Sequence, residues 1–364
     1  MLQRESTMKT EHRQNLIAAA LVCALALTGC QSFGPHTVAT DRFDYSSAIA
    51  DSWKQQTLLN IVKLRYLDLP VFVDVSSVVA GYSLQTGIGV AGMLSTGNAI
   101  QGNTLSGSGQ AIYTDRPTVT YTPLTGQKFL RGLMTPIEPK NIFFMLQSGY
   151  AADFVLGLSV ESLNGVRNRS ATAGATGAAE PEFVRVLQLM REVQLAGAVG
   201  MRVMESKEKD TAAVIFFRRE NISPEIMAKM VEIRRLLKLP EGQHQFKLIY
   251  SSAAGGDGEL SVGSRSMLQI MLAFASYVDV PESDVKEGRA VPSPPDSDRD
   301  AVDIHCSKDK PADAFAAVHY RNQWFWVDDR DWRTKRALTA TMFLFTMIEG
   351  SGDERLPLVT IPAQ

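Results

Sequence analysis

The sequence predicts an α+β fold of mixed or antiparallel sheets with packed amphipathic helices. Three observations carry that expectation. Segments with apolar residues at helical spacing stand among short alternating strands, several strand pairs are joined by hairpin signals, and the regular βαβ rhythm of a parallel sheet is missing. The 364 residues are 45% hydrophobic and 21% charged, the balance of a globular chain rather than a disordered or multi-spanning one. A formal net charge of −2 gives no sign of the basic face that nucleic acid requires.

At the N-terminus, Lys9 and Arg13 precede an uninterrupted apolar run from Leu16 to Leu27. Such a run suits the core of an export signal and is too short to remain as a transmembrane helix. It ends in Leu27-Thr28-Gly29-Cys30, with a branched apolar residue three before the cysteine and small residues directly before it. This order of parts, confined to residues 9–30, resembles the lipobox of bacterial lipoproteins. The resemblance implies that the Cys30 thiol receives a diacylglycerol, that cleavage falls before it, and that the new amino group is acylated with palmitate or a similar chain. Residues 1–29 are then a signal peptide, with Met8 the natural start, and residues 30–42 a lipidated tether. Cys23 lies between Ala20, Val22 and Ala24 and matches poorly. Gln31 and Ser32 lack the aspartate that retains enterobacterial lipoproteins in the inner membrane, so the resemblance implies the periplasmic face of the outer membrane. An ordinary cleaved signal or an uncleaved anchor is the plainer alternative. Two or three acyl chains, at about 0.8 kcal/mol per buried methylene, hold a protein on a membrane almost permanently, where one does not.

Removing 29 of the 364 residues leaves 335 and a net charge of −3, since Arg4, Lys9 and Arg13 go with Glu5 and Glu11. Cys306 is then the one free thiol. No intramolecular disulfide can form, so stability has to come from packing.

Ser32 to Asp41 reads as a polar spacer. From Phe43 to Tyr66 the residues Tyr45, Ile49, Trp53, Leu58, Ile61, Val62 and Tyr66 recur at helical spacing, and the helix stops near Asp68-Leu69-Pro70. Val71–Val75 reads as a strand. The next stretch, Val75 to Thr114, runs for 40 residues without Asp, Glu, Lys, Arg or His. Tyr82, Leu84, Ile88, Val90 and Leu94 fall on one side of a strand, small and polar residues on the other. After a turn near Thr96-Gly97-Asn98, Leu105, Gly107, Gly109, Ala111 and Tyr113 form a second, apolar-to-small row. Pairing Tyr82 with Tyr113 sets Leu84 opposite Ala111 and Val90 opposite Leu105. Each arm reaches the length of a tilted transmembrane strand. In pattern it is similar to the hairpins that oligomeric pore-forming lipoproteins, such as the curli-secretion type, contribute to a shared barrel. The same pattern also suits a glycine-rich soluble hairpin.

Thr118–Thr122 is strand-like, Leu124–Met134 and Pro139–Gln147 are short helices, and Phe154–Ser162 reads as a strand. Together these make a region 43–163, closed by a small-residue linker at 164–181, with an α+β unit at 182–364. In that unit Glu182–Ala196 is a helix, and Met201–Glu205 pairs with Ala212–Phe217 across Ser206–Asp210. Ser223 caps a helix opened by Pro224. Phe246–Ser251 is a strand, Ser264–Val278 a helix and Pro281–Asp300 an exposed excursion. Ala314–Tyr320 and Trp324–Val327 form a hairpin, a helix capped by Asp328 or Asp329 runs to Ile348, and Leu358–Ile361 closes the chain as a strand.

No nucleophile elbow, HExxH, phosphate loop or paired CxxC occurs, so neither a metal nor a cofactor is expected. His305-Cys306 would point to opposite faces of a strand, and Asp328 to Asp331 suit helix capping better than a cation. Trp324, Trp326 and Trp332 beside Arg321 and Arg333 suit a sugar-binding or protein-binding surface, or else a core strand and its helix; a shared outward face for Trp324 and Trp326 would favour the first. Three functions stay open. The leading one is a non-enzymatic envelope lipoprotein acting through a protein partner or a homo-oligomer. The others are an oligomeric export or pore-forming component inserting residues 82–113, and an envelope hydrolase.

Overall fold

A computed structural model describes residues 35–79, 82–93, 104–116, 118–172, 175–205, 211–218, 220–292 and 302–349. The signal, Cys30, Leu94, the turns at 96–98 and 206–210, and the terminal strand 358–361 lie outside them. The fold is α+β, as its residues predict. The chain divides into two compact units, Met1–Trp53 and Lys54–Gln364. In the first, the described residues form the opening turns of helix α1 (Pro35–Arg65), so the expected spacer up to Asp41 is already helical.

The larger unit begins with the rest of α1, which buries Leu58, Ile61, Val62 and Tyr66. Leu67, in the left-handed region at φ 59°, turns the chain into β1 (Phe72–Val79). Helix and strand are joined by a clamp of side-chain amides. Asn60 donates to Val71 O at 2.9 Å and accepts from Val71 N at 2.8 Å. One turn earlier, Gln56 does the same to Val73, at 3.0 and 2.7 Å. Residues four apart lie on one helix face, so the two amides imitate a neighbouring strand and occupy one edge of β1.

The other edge pairs antiparallel with β4 (Thr118–Leu124). Between them lie β2 (Tyr82–Met93) and β3 (Thr104–Asp115), each of 12 residues, paired with each other. Val79 faces Thr118 and Tyr82 faces Asp115, three residues on along one strand and three back along the other, so both pairings keep one register. A bulge at Ser76 between Val75 and Ser77 interrupts the β1–β4 half, where Ser76 and Thr122 hydroxyls bond to each other. The expected hairpin is present, but Leu84 faces Tyr113 and Val90 faces Gly107, a pairing two residues removed from Tyr82 opposite Tyr113.

Beyond the ribbon come α2 (Gln127–Met134), α3 (Pro139–Gln147) and α4 (Ala152–Ser159). The expected strand at 154–162 is thus helical until Val160, where β5 (Val160–Leu163) starts. Arg265, buried, explains the change: its guanidinium takes the last carbonyls of α4, Leu158 at 3.0 Å and Gly157 at 3.3 Å, and that of Arg169, and burial lowers its pKa.

The main sheet has the order β6-β5-β12-β11-β10-β9, with β6 Val166–Arg167, β9 Val199–Glu205, β10 Thr211–Phe217, β11 Gln245–Tyr250 and β12 Glu259–Ser264. A short pair, β7 (Ser170–Thr172) and β8 (Ala175–Gly177), stands apart. The boundary expected at 164–181 therefore has sheet strands from one sheet on both sides of it. Asn164, at φ 47° in the β5–β6 turn, is the reason the segment is ordered. Its side chain donates to Leu237 O at 2.5 Å and accepts from Gly255 N at 2.8 Å. Helices α5 (Pro181–Leu195) and α6 (Pro224–Leu236) follow, the latter capped by Ser223, whose hydroxyl accepts from Ile226 N at 3.3 Å. A capping box at Ser266 and Gln269 opens α7 (Met267–Ser276), and α8 (Glu282–Lys286) breaks the expected excursion.

A three-stranded sheet, β13-β15-β14, uses His305–Ser307, Gln323–Asp328 and Ala314–Tyr320. Arg321 and Asn322, both at positive φ (48° and 62°), make its two-residue hairpin turn. The closing helix α9 (Trp332–Glu349) is capped by Asp331, which accepts from Arg333 N at 3.0 Å and Thr334 N at 3.2 Å. Asp328 instead accepts from Arg330 N at 2.8 Å and Asp329 pairs with Lys335 at 2.6 Å, so neither expected cap serves. Phe345 of α9 stacks on Phe72 at 4.9 Å, and both lie near Phe129 of α2, which seats the ribbon's root in the core.

Substituting Asn60→Leu removes both bonds to Val71 from a fully buried position. Stranded backbone groups cost about 1–3 kcal/mol, so the urea midpoint falls by a corresponding amount while the helix content by circular dichroism is retained.

Candidate functional site

Two surfaces of the larger unit stand out. The first is the β2–β3 arm of the ribbon. Its register sets Tyr82, Leu84, Ile88 and Val90 in one row with Leu105, Ala111 and Tyr113, and Ser83, Gln85, Gly87 and Gly89 in the other with Ser108, Gln110 and Ile112. The structure thus brings the predicted residues of both strands together. Gln85, Ser108, Gln110 and Ile112 are exposed, and Ile112 and Met93 are the large apolar residues of the polar row. Among the described residues the two strands have extensive contacts only with each other. Ser108 donates to Gly89 O at 3.4 Å across the pair, and a side chain at Gly89 would meet that hydroxyl at 2.8 Å, so Gly89 permits the close approach. No helix of the described residues is long and apolar enough to cross a membrane; that result does not bear on strands.

The second surface is one face of the small sheet. Cross-strand pairing puts His305 and Ser307 of β13 beside Trp326 and Trp324 of β15, and these beside Ala317 and His319 of β14. Phe325 and Val327, on the opposite face, are buried. Trp324 and Trp326 therefore share the outward face, and the condition that favours a binding surface is met. His305 lies 4.6 Å from the Trp326 ring, His319 packs edge-on to Trp324 at 5.3 Å, and the Lys310 ammonium stands 5.5 Å from the Trp324 ring centre. Trp332 belongs elsewhere: it opens α9, 59% exposed, beneath the guanidinium groups of Arg333 and Arg336.

Beside this face Asp279, Asp303 and His305 hold ligand atoms within 4.8 Å of one another. His305 Nδ1 is 3.9 Å from Asp279 and 3.8 Å from Asp303. Two carboxylates and an imidazole are a donor set that a divalent cation accepts. All three side chains are part-exposed, while Asp303 Oδ1, the oxygen that faces His305, is buried without a hydrogen-bond partner among the described residues. The spacing was invisible in the sequence, because Asp279 follows α7 and Asp303 lies beyond the next excursion with no motif linking them.

On the inner face, Cys306 pairs across from Phe325, so His305 and Cys306 do face opposite ways. Burial, then the carboxylates of Asp279 and Asp284, push its thiol from 9.0 up to about 11. Tyr66 donates to Asp284 at 2.8 Å and meets Phe325 and Tyr320 edge-on; burial and that bond raise its pKa as well. Asp68 accepts from the Tyr320 hydroxyl and, at 3.1 Å, from Arg321, which together hold its carboxyl below the usual range. These contacts stitch the end of α1 to the small sheet. Comparison with protein families, characterised proteins and solved structures finds no match.

Both Cys306 and Tyr66 have folded pKa values raised above their unfolded ones, so their stabilising share is complete below pH 9 and shrinks as pH rises from 9 towards 11. The urea midpoint accordingly declines over that range, and less steeply in Cys306→Ser. At pH 8, a shift of two pKa units cuts the thiolate about 100-fold, and iodoacetamide labelling of Cys306, read by peptide mass, slows in the folded protein relative to the urea-unfolded one by that order.

Proposed function

We propose that this chain is a non-enzymatic lipoprotein of the bacterial envelope, anchored through Cys30 to the periplasmic face of the outer membrane, whose α+β body works by contact with protein partners. The observation that carries this reading is the ribbon. A two-stranded arm in one register, uncharged from Val75 to Thr114, is gripped at its root by Gln56 and Asn60 and, among the described residues, its β2 and β3 have extensive contacts only with each other. A free β-edge of this kind templates pairing with another chain. Trp324 and Trp326, half-buried on one face of the small sheet, supply a second contact surface, since tryptophan is enriched among the residues that carry binding energy at interfaces.

The tether is tested by Cys30→Ser. The native protein partitions with outer-membrane fractions and carries the mass of a diacylglycerol and an amide-linked acyl chain at its N-terminus. The serine variant moves to the soluble fraction. A variant that stays in the membrane at unaltered mass refutes the anchor.

A further inference from the structure

We propose that the paired strands Tyr82–Met93 and Thr104–Asp115 cross a bilayer, and that copies of this chain pair edge to edge through these strands to close a barrel. The proposal rests on the envelope reading above and names its partner: a second copy of the same chain.

Length is the first ground. Each arm has 12 residues, which at about 3.3 Å per residue reach roughly 40 Å. A strand tilt of about 40° reduces that to roughly 30 Å of depth, the thickness of the hydrocarbon core. The charge boundary agrees with it. Asp74 precedes the uncharged stretch, Asp115 and Arg116 follow it, and the last two stand where β3 ends, level with Tyr82. The β1–β4 half of the ribbon then remains outside the bilayer and carries the hairpin on the body.

The second ground is the alternation. One row of the register is Tyr82, Leu84, Thr86, Ile88, Val90 and Gly92 with Leu105, Gly107, Gly109, Ala111, Tyr113 and, at its base, Asp115; the other is Gly, Ser, Thr and Gln apart from Ala91, Met93 and Ile112, so the large apolar residues concentrate in the first. A spanning strand needs that division between lipid and a wet interior, with aromatic residues near the interface.

The third ground decides the partner. A lone hairpin leaves the outer edges of both strands unpaired, and each unpaired backbone group in hydrocarbon costs several kcal/mol. Closure by further strands is the remaining solution. The outer edge of β3 in one copy lies antiparallel to the outer edge of β2 in the next, so a ring of identical copies satisfies every edge by a head-to-tail contact that closes. The edges are also undefended. Sheets that live alone in water protect an open edge with Lys, Pro or inward charges, and β2 and β3 contain none of these before Asp115.

The test uses the full-length protein extracted in detergent and added to phosphatidylethanolamine–phosphatidylglycerol vesicles loaded with carboxyfluorescein. The expected result is a ring of copies by native mass and electron microscopy, with release of the dye. Replacing 82–115 by a short Gly-Ser turn keeps the fold by circular dichroism, returns the mass to one chain and reduces release to that of protein-free vesicles. In a Cys306→Ser background, single cysteines at Gln85, Gly87 and Ser108 react with a membrane-impermeant maleimide, while those at Leu84, Ile88 and Val90 are quenched by lipid-borne nitroxides. A monomer in detergent, leakage that survives the deletion, labelling without alternation, or an assembly that forms only with a different envelope protein overturns the proposal. Repeating the vesicle arm with Cys30→Ser separates the two readings. A ring formed by wild-type protein whose mass shows no acyl chains removes the anchor alone, a ring formed by both proteins leaves the barrel standing without the lipid, and a lipidated monomer removes the barrel alone.

Discussion

The two amide side chains that α1 lays against β1 are the constraint on which the rest of the structure depends. A two-stranded ribbon is marginally stable in water by itself, and this one has little apolar surface to spend. Asn60 and Gln56 replace a third strand at its root, satisfying the N–H and C=O groups of Val71 and Val73. Phe72 then enters the aromatic stack with Phe345 and Phe129. The strand is thus held on three sides: by β4, by helix amides and by the core. Beyond Val79, among the described residues, β2 and β3 have extensive contacts only with each other, and the ribbon continues by β-pairing. This division between a fixed root and an unsupported arm follows from where the amides and the phenylalanine fall in the sequence.

The same end of α1 organises the small sheet. Tyr66 reaches Asp284, Tyr320 and Phe325, and Asp68 takes the Tyr320 hydroxyl and Arg321. These bonds turn the Phe325 and Val327 face of the hairpin inwards, and strand alternation leaves Trp324 and Trp326 on the other side. The outward aromatics are therefore a consequence of how the inner face is pinned, and His305 beside Trp326 follows from the β13 pairing. The separation of His305 from Cys306 has the same origin: adjacent on a strand, they face opposite ways, His305 against Trp326 and Cys306 on the side of the buried Phe325.

Much of the secondary structure was legible because helical and two-residue periodicities differ. The failures have physical causes. Alternation sets which residues share a face and leaves even-numbered slips undetermined, since a two-residue slip moves no residue to the other side; the ribbon was read with its rows correct and its pairing displaced by two. Phe154 to Ser159 is apolar without a period, and its helical state is set by Arg265, more than a hundred positions away. The segment after Leu163 has the composition of a free linker, yet Asn164 is tied to Leu237, Gly255 and Ser261, contacts no local pattern announces. Asp331 wins the cap over Asp328 and Asp329 because the turn after β15 uses Asp328 for its own bond. Of the functional surfaces, the uncharged run and the tryptophans were readable as residues, whereas the grouping of Asp279 with Asp303 and His305 depends on tertiary approach.

On the proposed reading, an uncharged edge has to be reconciled with a passage through water before it meets lipid. Glycine and serine make the reconciliation possible. Gly87 and Gly109 offer open space where a side chain would stand, so the arm presents less apolar area to water than a strand of comparable length built from valine and isoleucine, and hydrophobic association scales with that area. Its backbone edges remain hydrated there and bind nothing strongly. In hydrocarbon, loss of that hydration would make the same edges costly unless paired. A sequence poor in side-chain adhesion and complete in backbone hydrogen-bonding groups therefore suits the proposed assembly, because it favours separation in water and pairing in lipid.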